Sequence, residues 1–461
     1  MRRLLIGVIT VLAVLLAGCS TRSDSNGTAS EETDAAKASA PASGGPDFGT
    51  LKDVCGKGDT TSGSAQGVTA DEIKAGVFTD VGFNKTPDFV DAAKVFTSWC
   101  NDNGGINGRK LTPVIHDAKL TEVRQRMQEA CKEDFALVGG GAALDGLGAK
   151  DRVNCLLPSY PAQSSLMPAV GSDLQLMPSG PYADYFQYAG FYKWLLTEKF
   201  PASADSVGII SGDSPVTKLL AAQFTESIAQ LGGKVSYSEL YPATGVSDWT
   251  PYAQSIKSKK VKGLVFLGDF ASLAKLEQAL TSLGYAPDWI DSNSNSYGDP
   301  FIQLGGAALD TQHNYAELFA VHPLETASDS PAVEKVKELY AKYAPDAKVG
   351  YLSLRAFSAW LLFATSARDC AELTRKCVYD NAAKNTEWTG GGLQAPFDLS
   401  QPHTPSKCYS IVQASSKGWK PADFKPDNGA YRCDAPLVKY KGKYGKPITL
   451  ADVGKSMSDL K

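Results

Sequence analysis

Beyond Val68, short runs rich in β-branched residues alternate with stretches whose apolar positions return every three to four residues. That alternation marks a doubly wound α/β sheet, with buried parallel strands joined by amphipathic helices. Residues 73–78 and 111–115 read as strands, and between them Phe89, Ala92, Ala93, Phe96 and Trp99 define one helix face. Val123, Met127, Ala130 and Cys131 share a face of the next helix, which leads into a buried strand at 135–138. A second series begins after about residue 180, with a strand at 207–210. Ser214 then stands as an N-cap and Pro215 as the first helical residue; Val216, Leu219, Leu220, Phe224, Ile228 and Leu231 form the stripe, and Gly232-Gly233 stops the helix. Strands at 234–240, 263–267 and 289–290 follow, with a helix through Leu273, Leu276, Leu280 and Leu283. One plan is laid down twice, without a repeat of fixed period. The chain then returns to the first lobe through Val333, Val336, Leu339, Tyr340 and Tyr343 on one helix and a longer apolar helix at 352–367. Cys408 to Gln413 and Lys417-Gly418-Trp419 read as a hairpin. Apolar stripes at this spacing are core rather than a cofactor surface.

The first residues follow another logic. Arg2-Arg3 precede an apolar run, Leu4 to Leu16, too short to span a bilayer stably. Leu16-Ala17-Gly18-Cys19 looks like a bacterial lipobox, which makes 1–18 a signal peptide and Cys19 the lipidated residue. The alternative is a plain signal peptide that happens to carry a cysteine. Thr21 to Gly49 is almost all Ser, Ala, Gly, Asp, Glu, Thr and Pro, so 19–66 reads as lipidated cysteine plus flexible linker. Buried acyl chains contribute about 0.8 kcal/mol per CH₂, enough for two or three on one residue to anchor a protein.

Nine cysteines are present, and the eight beyond Cys19 form an even set in an exported chain, the mark of a disulfide framework. Spacing favours Cys370–Cys377 and Cys408–Cys433, then Cys131–Cys155, leaving Cys55–Cys100, although eight cysteines allow about a hundred pairings. With no CxxC pair and only 4 histidines, neither a metal site nor a cofactor is expected. At 461 residues the chain exceeds what one core sustains, so two lobes are expected. A net charge of −4 with interspersed signs excludes a nucleic-acid surface. The one basic cluster, Lys439 to Lys446, reads as a solvated tail, with contact to anionic headgroups as the other use.

The stretch Asn103-Gly-Gly-Ile-Asn-Gly-Arg-Lys-Leu111 resembles the helix-to-strand turn of ABC-transporter substrate-binding proteins of the branched-chain amino acid type. Ala130 to Gly139, Leu283 to Trp289, Leu373-Thr-Arg375 and Trp388-Thr-Gly-Gly-Gly392 fit in order, so the resemblance covers about residues 67 to 435. It implies two doubly wound parallel-sheet lobes joined by three crossovers, the type I periplasmic binding protein fold. Lobe one would take 67–180 and 316–388, lobe two 181–315 and 389–436, and 437–461 would be a tail. It also implies a monomer that closes on a small polar solute, such as an amino acid or amide, and presents it to an ABC permease. The glycines of the turn have a structural use: Gly104-Gly105 end a helix and Asn107-Gly108 turn into a strand.

In open parallel sheets, ligands sit beyond the carboxyl ends of strands, beside helix N-termini. Six loops are selected: Thr79 to Phe83, Gly139 to Ala143 and Ser159 to Ser164 in lobe one, with Ser211 to Pro215, Gly268 to Phe270 and Asp291 to Tyr297 in lobe two. Candidate ligand residues are Thr79, Asp80, Ala142, Ser159, Tyr160, Gln163, Ser164, Tyr182, Ser214, Asp269, Phe270, Asn293 and Tyr297. Amides near Ala142 would receive a carboxylate or carbonyl, and Asp269 a positive or donor group. Each has a bland counterpart: Ser159, Gln163, Ser164, Asp80 and Asp269 serve equally as caps, and Tyr160, Phe270 and Tyr297 as packing. Gly139-Gly-Gly141 lacks the spacing of a dinucleotide loop. Against leucine-binding relatives, Ala142-Ala143 replaces a Ser, Ser214-Pro215 replaces a Tyr-Gly pair, and no Glu for an ammonium group stands in 291–297. No GxSxG elbow exists and the histidines are scattered, which disfavours an enzyme; a ligand-sensing lipoprotein beside a receptor is the closer rival.

Overall fold

The computed structural model describes residues 46–58 and 65–461. The signal peptide and Cys19 lie outside the described residues.

The sequence's two series become two sheets. In the first, β1 (Glu72–Thr79), β2 (Lys110–Asp117), β3 (Ala136–Val138) and β4 (Ser159–Tyr160) lie in the order β2-β1-β3-β4, all parallel. The glycine turn forms as expected: Gly105 takes φ 73°, and a Cβ there would sit 1.9 Å from the Arg109 carbonyl oxygen. The second sheet holds β5 (Val207–Gly212), β6 (Val235–Tyr241), β7 (Gly263–Leu267), β8 (Trp289–Asp291) and β9 (Asn314–Glu317), all parallel. The antiparallel hairpin β10 (Ile411–Ser415) and β11 (Gly418–Pro421) extends it, giving β11-β10-β9-β8-β7-β5-β6. This is the two-lobed α/β fold expected from the pattern.

Lobe one is built around the helix Tyr351–Arg368, buried on nearly every side. Its Trp360 stacks on Phe96 at 5.6 Å, and its Phe357 meets Phe96 edge-on at 5.5 Å. This packing brings the N-terminal turn of the helix to the junction of the lobes.

The ends of the described chain depart from expectation. The linker stops early, because Phe48 and Val54 are fully buried against lobe one. Lobe two keeps β9 as its own, so the chain leaves it after Glu317 rather than at residue 316. The segment 437–461 is no loose tail. Val438 accepts from the Phe186 amide, and Glu226 on a lobe-two helix accepts from the Gly442 amide at 2.9 Å and Tyr444 Oη at 2.7 Å. Farther on, Ile448 pairs with Pro168 and Asp173, and Leu450 and Leu460 pack on Val153 and Leu174 of lobe one. Residues 438–450 therefore add a fourth crossing to the three implied by the resemblance.

Four disulfides join Cys55 to Cys100, Cys131 to Cys155, Cys370 to Cys377 and Cys408 to Cys433, the pairs favoured by spacing.

Candidate functional site: a cavity between the lobes

The carboxyl ends of both sheets face a cavity of about 430 Å³. Lobe one contributes Phe83, Leu120, Leu144, Gln163, Ser164 and Met167; lobe two contributes Ser214, Leu220, Phe224, Tyr241, Leu267, Asp269 and Asn293. The crossings add Tyr182, Phe186, Gln187, Tyr188, Phe319 and Tyr440, and the N-terminal part of the long lobe-one helix adds Tyr351 and Arg355. Six of the expected residues thus meet here: Gln163, Ser164, Tyr182, Ser214, Asp269 and Asn293. The walls are largely aromatic and aliphatic.

The lobe-one amides expected to receive an anion are already occupied. Asp80 accepts from the amides of Ala143 and Leu120, each at 2.7 Å. Asp145 accepts from the amides of Ser165 at 3.0 Å and Leu166 at 2.9 Å, and from Ser164 Oγ at 2.7 Å. Burial pushes the Asp145 carboxyl up to about 6 against these hydrogen bonds. Gly139 and Gly141 donate to the carbonyls of Tyr160 and Phe78. Their glycines serve packing: a Cβ at Gly139 would meet Trp360 Nε1 at 2.4 Å, so the triplet is a tight joint and not an anion cradle.

Lobe two shows the same economy. Ser214 caps the helix Pro215–Gln230 by accepting from the Thr217 amide at 3.2 Å. Asp269 caps Phe270–Ser282 through the Ser272 amide at 2.8 Å. Both helix N-termini beside the cavity are closed by the chain's own oxygens. Asn293, at φ 66°, donates its amide to Asp291 at 2.9 Å, and Tyr192 Oη lies 2.5 Å from the other Asp291 oxygen. Desolvation lifts Asp291 to about 6.

Seven expected residues do not line the cavity. Thr79 accepts from the Val81 amide, and Asp80 is a loop strut. Ala142 and Ser159 face a separate, small lobe-one void. Tyr160 is fully buried beside Phe363, and Phe270 packs on the lobe-two part of the core. Tyr297 donates to Glu325 at 2.5 Å and accepts from the Leu324 amide at 2.7 Å, which fixes the second crossing. They lie in or just beyond the carboxyl ends of strands, and that position alone does not say which face each side chain takes.

Three polar groups of the cavity were not singled out from the sequence. Arg355 is 5% exposed; it donates to Tyr351 Oη at 2.6 Å and the Gly180 carbonyl at 2.5 Å, and makes no ion pair among the described residues. Glu317 is near, but burial pushes its carboxyl well up, toward the neutral form. Gln223, 4% exposed, has an Nε2 without a hydrogen-bond partner among the described residues, as does Gln187 Oε1. A signal for Arg355 existed: it is the one charged residue in the apolar run 351–367. Elsewhere, His116, Glu133 and Asp134 are the one described group close enough to share a metal, and the buried 2.6 Å His116–Asp134 contact already closes it.

A family model described as periplasmic binding protein matches residues 73–419, and the chain belongs to that family. Solved structures with the same fold include a fatty acid ABC transporter substrate-binding protein from Thermomonospora curvata, 17% identical with TM-score 0.68, covering 84% of this chain and 97% of that one. A leucine binding protein from Thermotoga maritima is 15% identical, with TM-score 0.63 and coverage of 76% and 97%. A branched-chain amino acid transporter substrate binding protein from Streptococcus pneumoniae, in complex with isoleucine, is 16% identical, with TM-score 0.60 and coverage of 80% and 100%. No curated protein sequence matches the chain.

Proposed function

We propose that the chain is an extracytoplasmic lipoprotein that captures a small organic solute between its lobes and delivers it to an ABC permease. The observation that carries this is the cavity of about 430 Å³, walled by strand-end loops of both lobes and by the crossings between them. A solute there touches both lobes at once, so binding favours a closed arrangement over an open one. The lipobox at Cys19 supplies the anchor, and the titles of the similar structures supply the transport setting. Among the described residues no histidine lines the cavity. Protein isolated from native membranes and denatured should release a stoichiometric small molecule identifiable by mass spectrometry. Turnover of that molecule by the native protein, or its absence from protein that binds nothing in a metabolite extract, contradicts the proposal.

A further inference from the structure

The cavity is apolar over most of its wall, yet one guanidinium, that of Arg355, lines it. Burying an unpaired guanidinium is costly, and such groups are ordinarily matched by a carboxylate. No carboxylate forms an ion pair with Arg355 among the described residues, the nearby buried Glu317 included, while its position is fixed by Tyr351 Oη, the Ser179 and Gly180 carbonyls and the rings of Tyr351 and Phe319 at 5.3 and 5.5 Å. A second cavity residue stands against the same Gly180 peptide. A Cβ on Gly180 would lie 2.8 Å from Gln187 Oε1, the acceptor that has no partner among the described residues. The amide of Gln187 can present either its oxygen or its nitrogen to a ligand. The other sites that could take an anion, the Ala143 and Ser165 amides and the two helix N-termini, are filled by Asp80, Asp145, Ser214 and Asp269. The one carboxylate lining the cavity, Asp269, is spent as a cap and exposed, which leaves an amino acid's ammonium without a buried partner.

We infer that Arg355, with Gln187 beside it, holds the acidic head of an amphiphilic organic monocarboxylate whose apolar chain lies along the Met167, Leu220 and Phe224 walls. This rests on the solute-binding function proposed above and names the class of its ligand. Arg–carboxylate pairing supplies direction and bidentate hydrogen bonding, and the walls supply affinity that grows with chain length.

The test is calorimetric titration of the mature protein, stripped of endogenous ligand, with butanoate, hexanoate, octanoate, octanol and leucine. Octanoate should bind, octanol should bind far more weakly, and affinity should rise about fourfold per methylene from butanoate to octanoate. Arg355→Gln should weaken octanoate by about thirtyfold or more, and Arg355→Lys should recover part of it. Because Arg355 also ties down Gly180, Leu220→Trp is the companion variant: it should weaken octanoate much more than butanoate. Octanol binding as tightly as octanoate, affinity indifferent to chain length, or no binding of any carboxylate overturns the inference. Tight leucine binding with octanoate ignored also overturns it, yet leaves the solute-binding function intact. That function is judged separately, by whether native protein releases a ligand of any kind.

Discussion

Glu277 shows how much chemistry a single buried side chain can carry without serving the site. It sits fully buried on the helix Phe270–Ser282, neither carboxyl oxygen has a hydrogen-bond partner among the described residues, and Asn314 lies beside it. Desolvation raises its carboxyl from 4.5 to about 8. The folded state therefore holds a proton that the unfolded chain releases near 4.5. Its stability is fully present below pH 4.5 and is lost progressively as pH rises to about 8. At about 1.4 kcal/mol per pH unit the deficit reaches several kcal/mol. Glu277→Gln keeps the shape and removes the titration, so its melting temperature should match wild type near pH 4 and exceed it by a margin that widens up to about pH 8 and then levels off. Parallel melting curves across that range would show that Glu277 is ionised in the fold. Arg355 is the counterpart that faces the ligand. Both were readable as polar residues in apolar stripes, but only the three-dimensional packing tells a core acid from a cavity cation.

The elements were legible where period and punctuation agree. Ser214-Pro215 opening a helix and Gly232-Gly233 closing it required no tertiary information, since capping is local. The buried strands β1, β3, β5 and β7 were equally plain as apolar runs, whereas β4 falls in a stretch that reads as a loop and the short β9 carries no strand signal of its own. Side-chain facing at strand ends was not legible: Tyr160 and Gln163 are three residues apart, and one is core while the other lines the cavity. Asp269 carries the sharpest consequence. The sequence offers it both as a partner for the ligand's positive group and as a helix cap, and in the structure its side chain caps Phe270–Ser282. Asp269→Ala should then lower the unfolding free energy of ligand-free protein by about 1 kcal/mol in urea melts, and Asp269→Asn or Asp269→Ser should restore most of it. Unchanged stability with a large loss of solute affinity would return Asp269 to the ligand.

For the molecule as a whole, the two-lobed plan could be read from the repeated alternation of strands and helices, and the family turn at Gly104-Gly105 agreed with it. The fourth crossing could not. Its residues, 438–450, are rich in Lys, Tyr and Gly and show no period, so their composition reads as solvated. They are held instead by particular acceptors on distant elements, Glu226 and Asp173, which sequence spacing cannot pair. Tyr440 brings this crossing to the rim of the cavity, so any closing motion must flex four connections rather than three. Pre-linked lobes have less freedom to lose on closing, which favours a small, well-defined movement. Closure on a solute is the central claim, and small-angle X-ray scattering tests it most directly. Mature protein stripped of ligand should show a larger radius of gyration than the same protein saturated with the solute released from native membranes, and the change should reverse on removal. A radius unchanged at full occupancy, as measured by calorimetry on the same sample, would contradict capture by closure between the lobes.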